Sequence, residues 1–220
     1  MLALPTFLNR APLRCERELV AALGEPLLGT RPLRAELLPA IGEQLLAHWF
    51  GAGRRLLPIV SAKRGEGRSR FAAVLARLFA RLGLPTLLID ADLRSPTVHR
   101  AFRLPNRGGL ADLLDGRGVQ FAQCGENLAV LVAGAARRDP LELLASERLP
   151  RLVAAAAKRF SVMLVDTPPA ARGPDLQIFA ALAGGALVLA GRSRDDAPAL
   201  RKLRALLQFG NARVVTALTH

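Results

Sequence analysis

Leu56-Leu57-Pro58-Ile59-Val60-Ser61 runs directly into Ala62-Lys63-Arg64-Gly65-Glu66-Gly67-Arg68-Ser69, and a stretch with Phe71, Val74, Leu75, Leu78 and Phe79 on one face follows. An apolar strand, a glycine-rich turn and a helix in that order form the pattern of a phosphate-binding loop. Ala62 stands at its first small position, and Arg68 where lysine is usual. Gly65 and Gly67 let backbone N–H groups turn inward around phosphate oxygens. The helix beginning near Ser69 adds the positive end of its dipole. Arg68 can bridge β- and γ-phosphates, and Ser69 can offer its hydroxyl to Mg²⁺. Taken alone, the same segment also reads as a glycine turn that binds nothing. Arginine does not replace lysine neutrally at a tightly packed phosphate, so the change bears on catalysis more than on binding.

Outward from this loop the pattern alternates. Strands are predicted at Leu56–Ser61, Thr86–Asp90, Leu128–Val132, Ser161–Asp166, Gly185–Leu189 and Ala212–Ala217. Helices are predicted at Ser69–Leu82, Leu110–Leu114, Leu149–Arg159, Asp175–Leu182 and Ala197–Leu207. Continuous apolar strands separated by helices imply an α/β fold: a doubly wound, mostly parallel sheet with helices on both faces, as in the P-loop NTPases. Residues 1–50 read as a leader, because Pro5, Pro12, Pro26, Pro32 and Pro39 leave room only for short helices before Pro39. Leu13–Leu23 is its proline-free stretch, and Ala40–Phe50 a short amphipathic helix with Ile41, Leu45, Leu46 and Trp49 on one side. Residues 51–220 then form the nucleotide-binding unit.

Two strands end in acidic motifs, Asp90-Ala91-Asp92-Leu93-Arg94 and Val165-Asp166-Thr167-Pro168-Pro169. Both lie at the carboxyl edge of a parallel sheet, where doubly wound folds bind ligands. A Mg²⁺–nucleotide site needs a carboxylate for the ion or its waters and often another to take a proton. A lone aspartate after a strand is more often a cap or turn residue, and Asp175 reads that way. Asp90, Asp92 and Asp166 read as functional because three motifs agree in order and context.

The whole chain of 220 residues is 51% hydrophobic and 22% charged, which excludes disorder and collagen-like repeats. Its net charge is +13, and of 31 basic residues only Lys63, Lys158 and Lys202 are lysine. Such a balance suits nucleic acid, anionic lipid or an acidic partner, or reflects codon bias. No RNA-binding signature accompanies the charge. The basic helix Ala197–Leu207 reads as a sheet cover with a solvated face. Cys15 and Cys124 build no disulfide framework, and no stretch resembles a signal peptide or a membrane span, so a cytoplasmic protein is expected. His48, His99 and His220 lack metal-ligand spacing. There is no tyrosine.

Together, Ala62–Ser69, Leu87–Arg94 and Met163–Pro169 resemble the three motifs of the deviant-Walker, MinD/ParA-like P-loop proteins, and within them the bacterial exopolysaccharide tyrosine autokinases. The EpsG-type chain-length-determinant kinases are the most similar subgroup: their loop commonly reads S-P-x-x-G-E-G-R-S, matched here by Ser61–Ser69 except for Ala62, and Gln44–Phe50, His99–Leu104, Asn106–Leu110 and Leu131–Gly134 followed by Pro140–Leu144 also resemble them. The resemblance implies ATP and Mg²⁺ as cofactors. It implies nucleotide contacts from Lys63, Arg64, Gly65, Glu66, Gly67, Arg68, Ser69 and Arg70, a catalytic group of Arg68, Asp90 and Asp92, and metal binding by Ser69, Asp90, Asp92 and Asp166. Asp90 is then the base toward an acceptor hydroxyl.

The family's tyrosine-rich tail is absent here. Its E-x-x-R-x-x-R helix is matched by Glu36, Pro39 and Gly42, without either arginine and with a proline expected to disturb the helix. The expected function is an ATP-dependent tyrosine kinase of exopolysaccharide chain-length control that acts on a partner. That partner is a membrane-embedded chain-length determinant, which recruits the protein to the inner membrane face; a homo-oligomer is also open, and nucleic acid is not expected. The alternatives are a catalytically degenerate nucleotide-binding regulatory subunit and a ParA/MinD-like ATPase.

Overall fold

The computed structural model describes residues 27–29, 38–190, 197–208 and 213–218. The described strands are β1 (Leu27–Gly29), β2 (Leu56–Ser61), β3 (Thr86–Asp90), β4 (Ala122–Gln123), β5 (Leu128–Leu131), β6 (Val162–Asp166), β7 (Gly185–Ala190) and β8 (Arg213–Leu218). They form one sheet in the order β1-β8-β7-β2-β6-β3-β5-β4. Every pairing is parallel except β4 with β5. This is the α/β, doubly wound architecture that the sequence implies. The helices are α1 (Leu38–Leu45, continued by a π-type turn Leu46–Phe50), α2 (Arg68–Arg81), α3 (Val98–Ala101), α4 (Leu110–Leu114), α5 (Pro140–Leu144), α6 (Arg148–Ala157), α7 (Asp175–Ala183) and α8 (Ala197–Gln208).

The central strands are apolar throughout because both faces are covered. In β2 and β7 the burial alternates between two cores. Leu57, Ile59, Leu187 and Leu189 belong to the larger one, which also takes Phe71, Leu75 and Phe79 of α2. Val60, Ala186, Val188 and Ala190 belong to the other, with Leu176 of α7 and Leu200, Leu203 and Leu207 of α8. Helix α8 is therefore a sheet cover, with Arg201 and Lys202 exposed. Pro58 would be unexpected in a central strand, since it lacks a ladder donor. The ladder of β2 with β7 begins only at Ile59, so one side of Pro58 has no ladder to break.

The described residues before 51 are bound to this core. β1 extends the sheet beside β8. The predicted amphipathic helix is present as α1 and its π-type turn. Ile41, Leu45 and Trp49 are buried, and Trp49 Nε1 donates to the Leu56 carbonyl at 3.0 Å. Pro39 does not disturb this helix: it is the second residue of α1, where no amide partner is required. At Gly42 a Cβ would stand 2.8 Å from Leu78 Cδ2, so the glycine permits close packing of α1 on α2. Leu13–Leu23 and Ala212 lie outside the described residues.

The strand order explains where a site forms. The chain passes from β2 across to β3, and β6 later inserts between them. Ile59 of β2 is paired in register with Asp166 of β6, and Asp166 with Asp90 of β3. The phosphate loop and both acidic motifs thus leave adjacent strands at one edge, the position expected for a ligand site.

Candidate functional site

The loop between β2 and α2 takes its shape from backbone demands. Gly65 has φ 86° and Gly67 φ 80°, and a Cβ at either would meet open space. Glycine is therefore required for its left-handed conformation and not for room. The Glu66 carboxylate accepts the Lys63 N–H at 2.8 Å, closing the loop on itself.

A cleft of about 260 Å³ opens beside this loop. Arg64, Gly65, Gly67, Arg68, Ser69 and Arg70 line one side. Asp92, Ser95 and Thr97 from the segment after β3, and Pro169 and Arg172 from the segment after β6, line the other. Six of the eight predicted nucleotide contacts are on this wall, while Lys63 and Glu66 are not. Ser95, Thr97 and Arg172 went unrecognised in the sequence.

Arg68 faces inward. It is 7% exposed. Its Nε donates to the Thr167 carbonyl at 2.8 Å. Its Nη1 donates to Ser61 Oγ and, at 3.2 Å, to the Lys63 carbonyl. The guanidinium also lies 3.9 Å from Asp92 Oδ2 and 3.9 Å from Asp166 Oδ1. Burial lowers its pKa, and the charges of Asp166 and Asp92 oppose that fall. The expectation of a phosphate-bridging Arg68 thus meets a guanidinium whose hydrogen bonds go largely to the protein. A lysine could not replicate this planar set of donors.

The three aspartates divide by geometry. Asp90 is fully buried and does not line the cleft. Its Oδ1 accepts the Asp92 N–H at 3.2 Å, and its Oδ2 accepts those of Thr97 at 3.2 Å and Val98 at 3.0 Å. It therefore holds the turn that carries Asp92. Asp92 does line the cleft, and its Oδ1 accepts the Ser95 N–H at 2.9 Å.

Asp166 is fully buried, and neither of its oxygens has a regular hydrogen-bond partner among the described residues. Burial, with a smaller contribution from Asp92, pushes its pKa up to about 6. The Ser69 hydroxyl and Arg68 work against that rise, the hydroxyl without hydrogen-bond geometry that satisfies the carboxylate. Burial and then the neighbouring Asp166 push Asp90 up to about 8.

A buried carboxylate with no regular hydrogen bond, and only the Arg68 guanidinium at 3.9 Å, calls for a further cation or a proton. Among the described residues no cluster of three or more His, Cys, Asp or Glu could hold an ion alone. Magnesium typically binds through one or two carboxylates plus substrate phosphates and waters, so Ser69 beside Asp166 fits it.

Asp175 is not the cap predicted for it. It is the first residue of α7 without a capping bond, 1% exposed, and pairs with Arg94 at 3.3 Å. Arg94 also reaches Asp139 at 3.8 Å, tying the turn after β3 to α7 and to the start of α5.

The raised acid pKa values have a sign that can be tested. Folded Asp90 and Asp166 hold protons that the unfolded chain has already released above its ordinary value of 3.8. The contribution of these two groups to stability is therefore greatest at low pH and is lost as pH rises from 3.8 to about 6 for Asp166 and to about 8 for Asp90. Metal-free protein should lose on the order of 3 kcal/mol between pH 5 and pH 8.5 in denaturant titrations. Asp90→Asn should flatten the upper part of that decline. A wild-type profile rising over this range would contradict the burial argument.

No family model matches the chain. The tyrosine-protein kinase YwqD of Bacillus subtilis is 36% identical over 164 residues, covering 73% of this chain and 69% of its own. The chain belongs to the bacterial tyrosine-protein kinase family. The succinoglycan biosynthesis transport protein ExoP of Rhizobium meliloti is 36% identical over 169 residues, covering 73% of this chain but 21% of its own. The family therefore includes proteins much longer than this one.

Among solved structures, the kinase domain of Escherichia coli tyrosine kinase ETK superposes with a TM-score of 0.84 at 21% identity, covering 96% of this chain and 94% of that one. MinD of Pyrococcus horikoshii, solved with Mg-ADP, has a TM-score of 0.61 at 21% identity over 75% of this chain and 69% of its own. These two likenesses establish the P-loop fold. Among the described residues of this family member, no helix is long and apolar enough to cross a membrane.

Proposed function

We propose that this chain binds Mg–ATP in the cleft and transfers the γ-phosphoryl group to a tyrosine of another protein, in support of polysaccharide chain-length control. The observation that carries the reading is Asp166, a buried carboxylate without regular hydrogen-bond partners, 3.9 Å from Arg68, which with the glycine loop lines an arginine-rich cleft. The 220 residues contain no tyrosine, and we assign the acceptor to a partner. A membrane-embedded chain-length determinant with a cytoplasmic tail is the acceptor we assign, and it would bring this protein to the inner membrane face.

In this reading the loop amides from Arg64 to Arg70 hold the phosphates, with Arg64 and Arg70 supplying charge. Ser69 and Asp166 are the magnesium donors. Bound magnesium supplies charge neutralisation at the β- and γ-phosphates. Asp92 faces the reacting centre and takes the proton of the tyrosine hydroxyl as that oxygen attacks phosphorus and ADP departs. Asp90 keeps the Asp92 turn in place. Arg68 shapes the loop and balances the buried carboxylates.

The inward-facing Arg68 also favours a second reading, a regulatory subunit that binds nucleotide without turning it over. Titration calorimetry with Mg–ATP, paired with a phosphate-release assay, separates the two. The kinase reading expects micromolar-range binding with slow release of phosphate. Binding with neither phosphate release nor transfer to an added tyrosine-bearing polymer would select the regulatory reading, and absence of binding would remove both.

A further inference from the structure

Arg172 closes a short 3-10 turn, Ala170–Arg172, that follows β6. The turn is fastened to the phosphate loop: the Ala171 N–H donates to the carbonyl of Ala62, the loop's first residue, at 3.2 Å. The Arg172 N–H returns to the Pro169 carbonyl at 2.9 Å. The residue itself is exposed, yet its side chain lines the cleft. Nη1 donates to Ser95 Oγ at 2.5 Å, and the Ser95 N–H is in turn held by Asp92. A rotamer-rich side chain is thus held at both ends, through the neighbouring Ala171 backbone at the loop and by its tip at the turn that carries Asp92.

The charge balance is lopsided. Arg64, Arg68, Arg70 and Arg172 all line the cleft, against the single carboxylate of Asp92. Arg172 is close enough to Arg68 for its charge to help lower that guanidinium's pKa. Like charges held near one another are relieved by an anion between them. Arg68 has donated Nε and Nη1 to protein acceptors, whereas the hydrogen bond of Arg172 is to a hydroxyl that could share it.

We propose that Arg172 reads the terminal phosphate of the nucleotide and makes the site prefer a triphosphate to a diphosphate, with Ser95 as its positioning residue. This rests on the nucleotide-binding reading and assigns one residue the discrimination within it. Affinity for a diphosphate, held by the loop amides, does not depend on Arg172.

Titration calorimetry with Mg–ATP and Mg–ADP on wild type, Arg172→Ala, Arg172→Lys and Ser95→Ala tests the assignment without an activity readout. Arg172→Ala should weaken ATP binding about 10- to 50-fold and ADP binding less than about 3-fold. Ser95→Ala should shift the ratio in the same direction by less, and Arg172→Lys should restore part of it. Equal weakening of both nucleotides, or no change in either, overturns the role of Arg172 while leaving the nucleotide site standing. A wild-type protein that binds neither nucleotide overturns the underlying reading, and this one with it. Because the side chain is exposed, unchanged thermal melting of Arg172→Ala is expected and serves as the folding control.

Discussion

Asp92→Asn should lower Mg–ATP-dependent phosphoryl transfer by about 100- to 10,000-fold, the range associated with loss of a positioned acid or base. It should do so with little change in melting temperature. Asp92 is the one of the three aspartates on the cleft wall, and its Oδ1 bond to the Ser95 N–H survives as an amide oxygen acceptor. The 3.9 Å approach of its Oδ2 to Arg68 loses charge, but Arg68 keeps the adjacent carboxylate of Asp166. Asp90→Asn should behave differently. It places an amide where the carboxylate accepts three backbone N–H groups, so it should loosen the Asp92 turn and alter both nucleotide affinity and stability. Initial rates over an ATP series, with melting curves on the same samples, separate the two. Equal loss of rate from both variants, with stability unchanged in each, would return the base role to Asp90.

Arg68→Ala should be the most destabilising single change at the site, by about 3–5 kcal/mol at neutral pH, the cost typical of removing one partner of a buried ion pair. It leaves the Thr167 carbonyl and Ser61 Oγ without their donor, while the Lys63 carbonyl keeps the Ser61 hydroxyl at 2.9 Å. It also leaves Asp166 with no cation within 4 Å among the described residues. With that charge gone, ionised Asp166 becomes more costly still. The deficit should therefore grow as pH rises above about 6, where Asp166 titrates. Urea titrations at pH 5 and pH 8 read this directly. Arg68→Lys should recover part of the charge balance but not the three-way hydrogen bonding, and should fall between. A small, pH-independent loss would show that Arg68 serves phosphate and not the fold.

Much of this site is legible in the chain because its parts lie at strand ends. Leu56–Ser61 and Thr86–Asp90 are found as predicted, since each is apolar throughout and bounded by turn residues. What escapes is short or distant. β1 spans three residues and β4 two, too few for any periodicity. α5 escapes although Asp139 caps it, accepting the Leu141 N–H at 2.8 Å, and Pro140 starts it; the Asp-Pro pair was its signal.

Asp175 looks like a cap in sequence because the ion pair that explains it comes from Arg94, 81 residues earlier. Arg172 sits in an irregular turn whose approach to the phosphate loop is a tertiary fact. The three aspartates are legible as a group, but their division is not. It depends on which backbone amides each carboxylate meets, and for Asp90 these belong to a turn and to a helix of four residues with no sequence signature.

The most direct test of phosphoryl transfer to another molecule uses γ-labelled ATP, magnesium, the purified chain and a soluble glutamate–tyrosine copolymer, with a glutamate–phenylalanine copolymer as control. The account predicts label on the tyrosine polymer alone, none on the chain itself, and loss of the signal with Asp92→Asn. Nucleotide bound by the chain with no label reaching tyrosine would contradict it.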